Sequence, residues 1–217
     1  MKRRRRAAEK GMGNQPAGHK GNRGDGTHRR RGLFAAALAA LPAMLLLAAA
    51  PSFAGRGRMN AYDFEFTSID GGKLPLSQYR GKPLLVVNTA SFCGYTPQYR
   101  DLETIWRTYR DRGLVVVGVP SNDFGEQEPG TAPEIKKFCE TNYEVDFPLT
   151  EKQRVVGGEA HPFFRWIAEE LGEAGVPRWN FHKYLVAPDG SLAAAWPSRV
   201  RPTDREVGAE IEKLLPR

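Results

Sequence analysis

The chain has 217 residues, of which 41% are hydrophobic, a formal net charge of +7 and two cysteines. This length suffices for one domain with a substantial core. The charge is uneven, because residues 1–54 hold 11 basic and 2 acidic residues whereas the remainder holds 21 and 23. The near-neutral remainder gives no electrostatic reason to expect a nucleic-acid partner. One cysteine pair is also too few for a disulfide scaffold of this size.

Residues 1–54 have the pattern of a secretory signal. An arginine-rich stretch precedes 18 uncharged, mostly apolar residues, 33–50, and small residues then mark a cleavage site that we place after Ala54. Residues 30–34 also match the twin-arginine pattern. We therefore predict a periplasmic protein with no stable membrane insertion after cleavage. The alternative is an uncleaved membrane anchor, since 18 apolar residues can just span a bilayer. Residues 55–60 would be a connector and residues 61–217 the folded domain.

The folded part is predicted to begin with a β-hairpin. Apolar and polar side chains alternate over residues 63–69, the chain turns at residues 70–72, and it returns over residues 73–76. A short apolar strand follows at residues 83–87. Apolar side chains then recur at helical spacing from Tyr99 to Tyr109, before a glycine stop at Gly113.

A second apolar strand, residues 114–119, completes a β–α–β unit, which implies parallel strands in a covered sheet. The polar loop at residues 120–130 therefore leaves the same sheet edge as the turn that contains Cys93. Ligands bind at this edge in open sheets of this kind, so the loop is placed to contribute to a site.

The remaining pattern predicts the elements that close the domain. In chain order these are a helix capped by Thr131 with Cys139 on its inward face, a strand at residues 145–149 and a helix at residues 161–171, in which His161 is a capping or surface residue rather than a ligand. A hairpin over residues 184–196 and a helix over residues 203–215 follow. Inward residues of the 161–171 helix are Phe164, Ile167, Ala168 and Leu171. The order predicts an α/β, thioredoxin-like fold with a central mixed β-sheet flanked by helices.

Cys93 lies in the predicted turn between the first apolar strand and its helix. Backbone N–H groups and the positive end of the helix dipole favour a thiolate there, so Cys93 is either a reactive nucleophile or a small buried hydrophobe. Cys93 and Cys139 could form one structural bridge or a redox couple. The sequence has no metal-ligand spacing and no Cys-x-x-Cys motif, so dithiol exchange within one turn is not expected.

Three segments resemble the signature blocks of the glutathione peroxidase family, in family order and spacing. They are NTASFCGYT at residues 88–96, PSNDFGEQEP at residues 120–129 and WNFHKYL at residues 179–185. The similarity extends from about Ala61 to Leu215. The resemblance implies a cysteine peroxidase in which Cys93 occupies the position of the selenocysteine or cysteine nucleophile.

The family surrounds its nucleophile with a glutamine, a tryptophan and an asparagine. The resemblance assigns these to Asp123, Trp179 and Asn180. Neutral N–H donors at Trp179 and Asn180 suit both a thiolate and a developing oxyanion. Asp123 departs from the pattern, because an ionised carboxylate only accepts hydrogen bonds. It could disfavour the thiolate by repulsion, act as a general base, or stay protonated and donate.

Ser121 stands where many relatives have a cysteine, whereas Cys139 stands where thioredoxin-dependent members keep their resolving cysteine. The resemblance therefore implies that Cys139 forms a disulfide with oxidised Cys93 and that a thioredoxin-like protein, or else glutathione, reduces it. The helix that carries Cys139 must then open locally. The short stretch between Phe147 and Trp179 lacks room for the extra segment of tetrameric relatives, so we expect a monomer.

These observations favour a thiol peroxidase that reduces hydrogen peroxide and organic or lipid hydroperoxides without a cofactor. A peroxide sensor or oxidant relay, which passes its disulfide to a partner protein, would use the same chemistry at Cys93. A third hypothesis is an inert domain in which a bridge between Cys93 and Cys139 is structural. Such a bridge should resist mild reductants, whereas a catalytic one should be reduced readily.

Overall fold

The structure is a computed structural model that describes residues 58–216. The predicted signal segment, its cleavage site and residues 55–57 of the connector lie outside the described residues. No helix within the described range is long and apolar enough to cross a membrane.

A mixed four-stranded sheet forms the centre of the domain, as predicted. Its strands are β3 (Leu84–Thr89), β4 (Val115–Pro120), β5 (Lys183–Val186) and β6 (Leu192–Trp196). Two short strands earlier in the chain, β1 (Glu65–Thr67) and β2 (Lys73–Pro75), form a separate antiparallel pair. The strand order is β4-β3-β5-β6. Strands β3 and β4 are parallel, whereas β5 runs antiparallel to both β3 and β6.

The β–α–β unit consists of β3, helix α1 (Gln98–Tyr109) and β4. All residues of both strands are buried, which explains their continuous apolar runs. After α1 and a short 3-10 turn, the chain reverses at Gly113, whose φ of 106° lies in the left-handed region that favours glycine. Thr89 pairs with Pro120, so the loops after β3 and β4 leave the same edge of the sheet.

The antiparallel pairing of β5 brings a third segment to that edge. Val87 of β3 lies opposite Lys183, the first residue of β5. Residues 179–182 therefore approach β3 at its carboxyl end, beside the turn that carries Cys93. Three segments far apart in the sequence thus converge at one point.

Helices cover both faces of the sheet. Alternate residues of β3 divide between two cores: Leu85 and Val87 pack with α1, α2 (Ala132–Tyr143) and α4 (Arg205–Leu214). Leu84 and Val86 pack on the other face with α3 (Pro162–Leu171). Because side chains alternate across a strand, one apolar strand supports both layers.

Two predictions made from the sequence, a strand at residues 145–149 and an inward Leu171, are wrong. Residues 145–149 form no strand; Leu149 makes only an isolated bridge with Gly118. Pro148 has no N–H group to continue a ladder, although its carbonyl accepts the Gly118 N–H at 2.9 Å. In α3 Leu171 is 39% exposed rather than inward, because the helix ends there at Gly172. His161 does cap this helix, since its ring accepts the Phe163 N–H.

Candidate active site

Cys93 lies in a tightly bonded turn, residues 90–97, which we call the Cys93 turn. The Cys93 N–H donates to the Thr96 hydroxyl at 2.9 Å, and that hydroxyl donates to the Ala90 carbonyl at 2.9 Å. The Cys93 sulfur accepts the Tyr95 N–H at 3.3 Å. Cys93 is buried but not sealed, with 7% of its surface exposed. The turn therefore fixes the direction of the sulfur and gives it a backbone donor, which stabilises negative charge.

Asn88, the last-but-one residue of β3, holds residues 179–182 against the sheet. Its side-chain amide donates to the Trp179 carbonyl at 3.1 Å, and its side-chain oxygen accepts the His182 N–H at 2.9 Å. Its backbone carbonyl accepts the Phe181 N–H at 2.6 Å. Phe181 has a φ of 64°, which a non-glycine residue keeps only when its surroundings impose it. Asn88 supplies that restraint.

Asn180 is fully buried in this loop, and its side chain faces Gln127. The Asn180 amide donates to the Gln127 side-chain oxygen at 3.0 Å. The Gln127 backbone carbonyl accepts the N–H of Phe92, the neighbour of Cys93, at 3.0 Å. Gln127 thus connects the Cys93 turn with Asn180. It lies in the second signature block, but the sequence analysis did not single it out.

Asp123, which the resemblance placed beside Cys93, is occupied elsewhere. Its carboxylate accepts the N–H groups of Val155 and Val156 at 2.6 and 3.2 Å, and it pairs with Arg154 at 3.6 Å. Within the described residues, all its side-chain hydrogen bonds go to this segment. An acceptor-only side chain suits two successive N–H donors. The Asp123 carboxylate is therefore engaged by residues 154–156, whereas Gln127 contacts both Asn180 and the Cys93 turn.

Trp179 lies at the surface of the site rather than in the core. Its side chain is 39% exposed and packs against Phe124, with ring centroids 5.8 Å apart. Phe92 and Tyr95, on either side of Cys93, are also exposed, Phe92 by 65%. Three exposed aromatic side chains therefore belong to the segments that converge at this edge of the sheet.

Two buried ionisable side chains follow Phe181. Lys183 donates to the Phe181 and Ser198 carbonyls at 2.6 and 3.4 Å, and burial lowers its pKa to about 7. Burial also lowers the pKa of His182 to about 4, so this ring is neutral at neutral pH. It stacks on Tyr184. His182 is thus part of the packing beneath the loop, and Lys183 is a second restraint on the Phe181 backbone.

Cys139 lies on the inward face of α2, as predicted, and is fully buried. Burial raises the pKa of its thiol to about 12. Both cysteines are reduced thiols in this structure. Among residues 58–216, no three His, Cys, Asp or Glu side chains come together as a metal-binding group.

Comparisons with known proteins identify relatives of this chain. The family model described as glutathione peroxidase matches residues 61–168. Hydroperoxy fatty acid reductase gpx1 of Synechocystis is 45% identical over 71% of this chain and 95% of its own length. The crystal structure of Trgpx in apo form superposes with a TM-score of 0.58 at 32% identity, covering 72% of this chain and 96% of that one. A thioredoxin-family thiol:disulfide interchange protein from Chlorobium tepidum has a TM-score of 0.53 at 16% identity, covering 70% and 92%, and shares the thioredoxin-like fold.

Proposed function

The chain belongs to the glutathione peroxidase family and is a peroxidase, and from this premise we propose a two-cysteine cycle in which Cys93 is the nucleophile and Cys139 the resolving residue. The observation that carries the proposal is the convergence of the Cys93 turn, Gln127 and Asn180 at one sheet edge. The peroxide is the oxidant, and a dithiol protein is the reductant.

In the first step, the Cys93 thiolate attacks one peroxide oxygen. The O–O bond breaks, Cys93 becomes a sulfenic acid, and the departing alkoxide or hydroxide takes a proton to leave as alcohol or water. The Asn180 amide and the Trp179 indole N–H are neutral donors that stabilise the developing negative charge. Asn88 positions both of them through the loop backbone.

Gln127 supplies a further donor in this proposal. Its side-chain oxygen is taken by Asn180, so its Nε2 group, with two N–H donors, is the end available to the peroxide. Asp123 anchors residues 154–156 and has no direct part in the chemistry. Its anchoring still matters, because it fixes the start of the loop that carries Gln127.

In the second step, Cys139 attacks the sulfenic sulfur, and a disulfide forms with release of water. Cys139 is fully buried on a formed helix, so α2 must open locally before the two sulfurs meet. A thioredoxin-like protein then reduces the disulfide by thiol exchange. Glutathione is the alternative reductant.

The three exposed aromatic side chains support substrates with apolar groups. Phe92 and Tyr95 of the Cys93 turn and Trp179 of the loop before β5 are exposed, and aromatic surfaces bury apolar chains well. A relative named hydroperoxy fatty acid reductase is 45% identical. We therefore include organic and lipid hydroperoxides, with hydrogen peroxide, among the substrates.

For the location, we propose export to the periplasm by the segment at residues 1–54. A monomer that keeps no membrane insertion after cleavage is part of the same proposal. Fractionation of cells that express the full chain, with mass measurement of the product, tests it. A periplasmic product that begins at residue 55 supports export with cleavage, whereas an uncleaved membrane-bound product supports the anchor.

The cycle itself is tested by adding one equivalent of hydrogen peroxide to the reduced protein while counting thiols and mapping bridges by mass. We expect both thiols to disappear into a Cys93–Cys139 disulfide, and thioredoxin to restore them. If Cys93 stops at sulfenic or sulfinic acid while Cys139 stays reduced, the resolving role is wrong. If neither thiol reacts, the nucleophile is wrong.

A further inference from the structure

A buried polar cluster lies between the Cys93 turn and helix α2, and the cycle described so far does not use it. Its members are all less than a tenth exposed: Thr89, Ser91, Tyr99, Glu128 and Cys139. Ser91 faces the Glu128 carboxyl group, and Tyr99 faces both Thr89 and Cys139, but neither the three hydroxyls nor the two carboxyl oxygens make a hydrogen bond of normal geometry. Buried polar groups are nearly always paired, because leaving one unpaired is costly. Five unpaired oxygen atoms in one cluster therefore require an explanation.

Glu128 is the ionisable centre of this cluster. It follows Gln127 directly and lines a groove between the Cys93 turn and α2, together with Ser91, Ile135 and Phe138. Its carboxyl group has no ion-pair partner among residues 58–216. The nearby Lys152 ammonium donates instead to the backbone carbonyls of Glu128, Pro129 and Gly130. The carboxyl group is thus buried without an ion-pair partner.

The titratable groups around Glu128 come from three elements: Tyr99 from α1, Glu134 and Cys139 from α2, and Lys152 from the segment between α2 and α3. Glu140 of α2 bears on Cys139. Burial raises the pKa of Glu128 to about 7, against the opposing effects of Ser91 and Lys152. Burial raises the pKa of Cys139 to about 12, and the negative charges of Glu128 and Glu140 add to this while the Tyr99 hydroxyl opposes it.

Near neutral pH these pKa values make the Cys139 thiol a proton donor and the Glu128 carboxylate a proton acceptor. The Cys139 thiol keeps its proton while α2 is closed, and burial also raises the pKa of Tyr99 well above its ordinary value. Glu128 is close to half-ionised, which is the best condition for a group that both accepts and returns a proton. Within the cluster, Glu128 is therefore the proton acceptor that neutral pH allows.

We propose that Glu128 accepts the proton that Cys139 loses when it resolves the Cys93 sulfenic acid, an inference that rests on the proposed roles of the two cysteines. The S–H bond of Cys139 breaks, and its proton passes to the Glu128 carboxylate. The Cys139 sulfur then forms the S–S bond with Cys93 as the S–O bond breaks. The departing hydroxide takes the proton from Glu128 and leaves as water, so the carboxylate is regenerated. Cys139 is oxidised, and the Cys93 sulfur is reduced from the sulfenic state.

The test compares Glu128→Gln with Glu140→Gln in the full chain. Glu140 is a matched control, because it is exposed on α2 yet also bears on the Cys139 thiol. One equivalent of hydrogen peroxide is mixed with reduced protein, samples are quenched with an alkylating agent, and mass measurement separates Cys93 oxidation from disulfide formation. We expect Glu128→Gln to keep Cys93 oxidation within about twofold and to slow disulfide formation about 100-fold, as loss of a general base does. Glu140→Gln should resemble the wild type in both steps.

The pH profile separates proton transfer from a merely structural role. In the wild type, disulfide formation should accelerate as pH rises to about 7 and then level off, following ionisation of Glu128. Glu128→Gln should lose this plateau. Glu128→Asp keeps a carboxylate and should recover part of the rate of disulfide formation, with a shifted midpoint in the pH profile. This variant tests the proposal even if Glu128→Gln folds poorly.

Three results would overturn the proposal. Unchanged disulfide formation in Glu128→Gln would mean that solvent takes the proton after α2 has opened. Equal slowing of both steps, with an unchanged pH profile, would mean that Glu128 only supports the Cys93 turn. If wild-type Cys93 oxidises but no disulfide forms, the resolving role of Cys139 fails and this proposal fails with it; the separate signal from Cys93 shows whether the peroxidase step survives.

Discussion

The side-chain amide of Asn88 donates to the backbone carbonyl of Trp179 at 3.1 Å, across 91 residues of sequence. The strand that precedes Cys93 therefore positions the loop that carries Trp179 and Asn180, the proposed donors of the site.

The first prediction concerns Asn88→Asp. This change keeps the acceptor for His182 but removes the donor to Trp179 and places a carboxylate oxygen against a carbonyl. We expect kcat/KM for hydrogen peroxide to fall about 10- to 100-fold, because a displaced donor loses its effect on the departing oxygen. Steady-state kinetics with a thioredoxin system measure this. Asn60→Asp is the control, since either residue can cap the helical turn that Asn60 begins; equal losses in both variants would contradict the prediction.

The second prediction separates Asp123 from Gln127. Asp123→Ala removes the acceptor for two buried N–H groups and should lower the free energy of unfolding by about 1–3 kcal/mol. Its Cys93 oxidation rate should stay within about threefold of the wild type. Gln127→Ala should slow that rate about 100-fold, since it loses a donor near the reacting atoms. The prediction is wrong if Asp123→Ala slows oxidation as much as Gln127→Ala does.

The third prediction concerns Cys139→Ser. The variant keeps the Cys93 turn intact, so Cys93 should react with the first equivalent of peroxide at the wild-type rate. Without a resolving thiol, the sulfenic acid should persist and thioredoxin-dependent turnover should fall at least 100-fold. A burst experiment followed by trapping of the sulfenic acid measures both. Sustained thioredoxin-dependent turnover would show that another route resolves the sulfenic acid.

The fourth prediction concerns Lys183 and pH. Its pKa falls from 10.5 to about 7 on folding, so between pH 7 and 10.5 the unfolded chain binds a proton that the folded chain does not. The free energy of unfolding should therefore rise with pH in that range, by about 1.4 kcal/mol per unit. The raised pKa of Cys139 lowers the free energy of unfolding only above pH 9, the ordinary pKa of a cysteine thiol. The titration of Glu128 lies below this range, since its pKa is about 7.

Denaturant unfolding of the reduced protein at pH 7, 8 and 9 measures this slope. The wild type should gain about 2–3 kcal/mol over the range, and Lys183→Met should abolish the gain. Lys82→Met, at an exposed lysine, should leave the slope unchanged. A pH slope that persists in Lys183→Met would mean that the lysine does not titrate in this window.

The sequence predicted the part of the site that follows from local pattern. An apolar strand, a cysteine turn and an amphipathic helix form a continuous signal, so the location of Cys93 and the parallel pairing of its strand could be predicted. The inward face of α2, with Cys139, follows from the same helical spacing. In these segments, local preference and tertiary packing agree.

The loop after β4 could not be predicted in the same way. Gly125 and Glu126 both have positive φ, at 65° and 54°, and these two residues turn the chain. Asp123, before the turn, faces residues 154–156, whereas Gln127, after it, faces Asn180. Position in a motif does not reveal which of two polar residues faces Asn180 when the intervening backbone is left-handed. The absent strand at residues 145–149 has a simpler cause, since Pro148 interrupts the backbone donors.

The link between β3 and the loop before β5 also has a consequence for how the protein acquires activity. Asn88 and His182 are 94 residues apart, so their contact closes a long chain loop that forms late and slowly. A nascent chain that ends before residue 179 contains both thiols but lacks Trp179 and Asn180, the proposed donors on the loop that β3 must capture. Peroxidase competence is therefore a property of the completed chain, and a C-terminal truncation before residue 179 should leave two ordinary thiols.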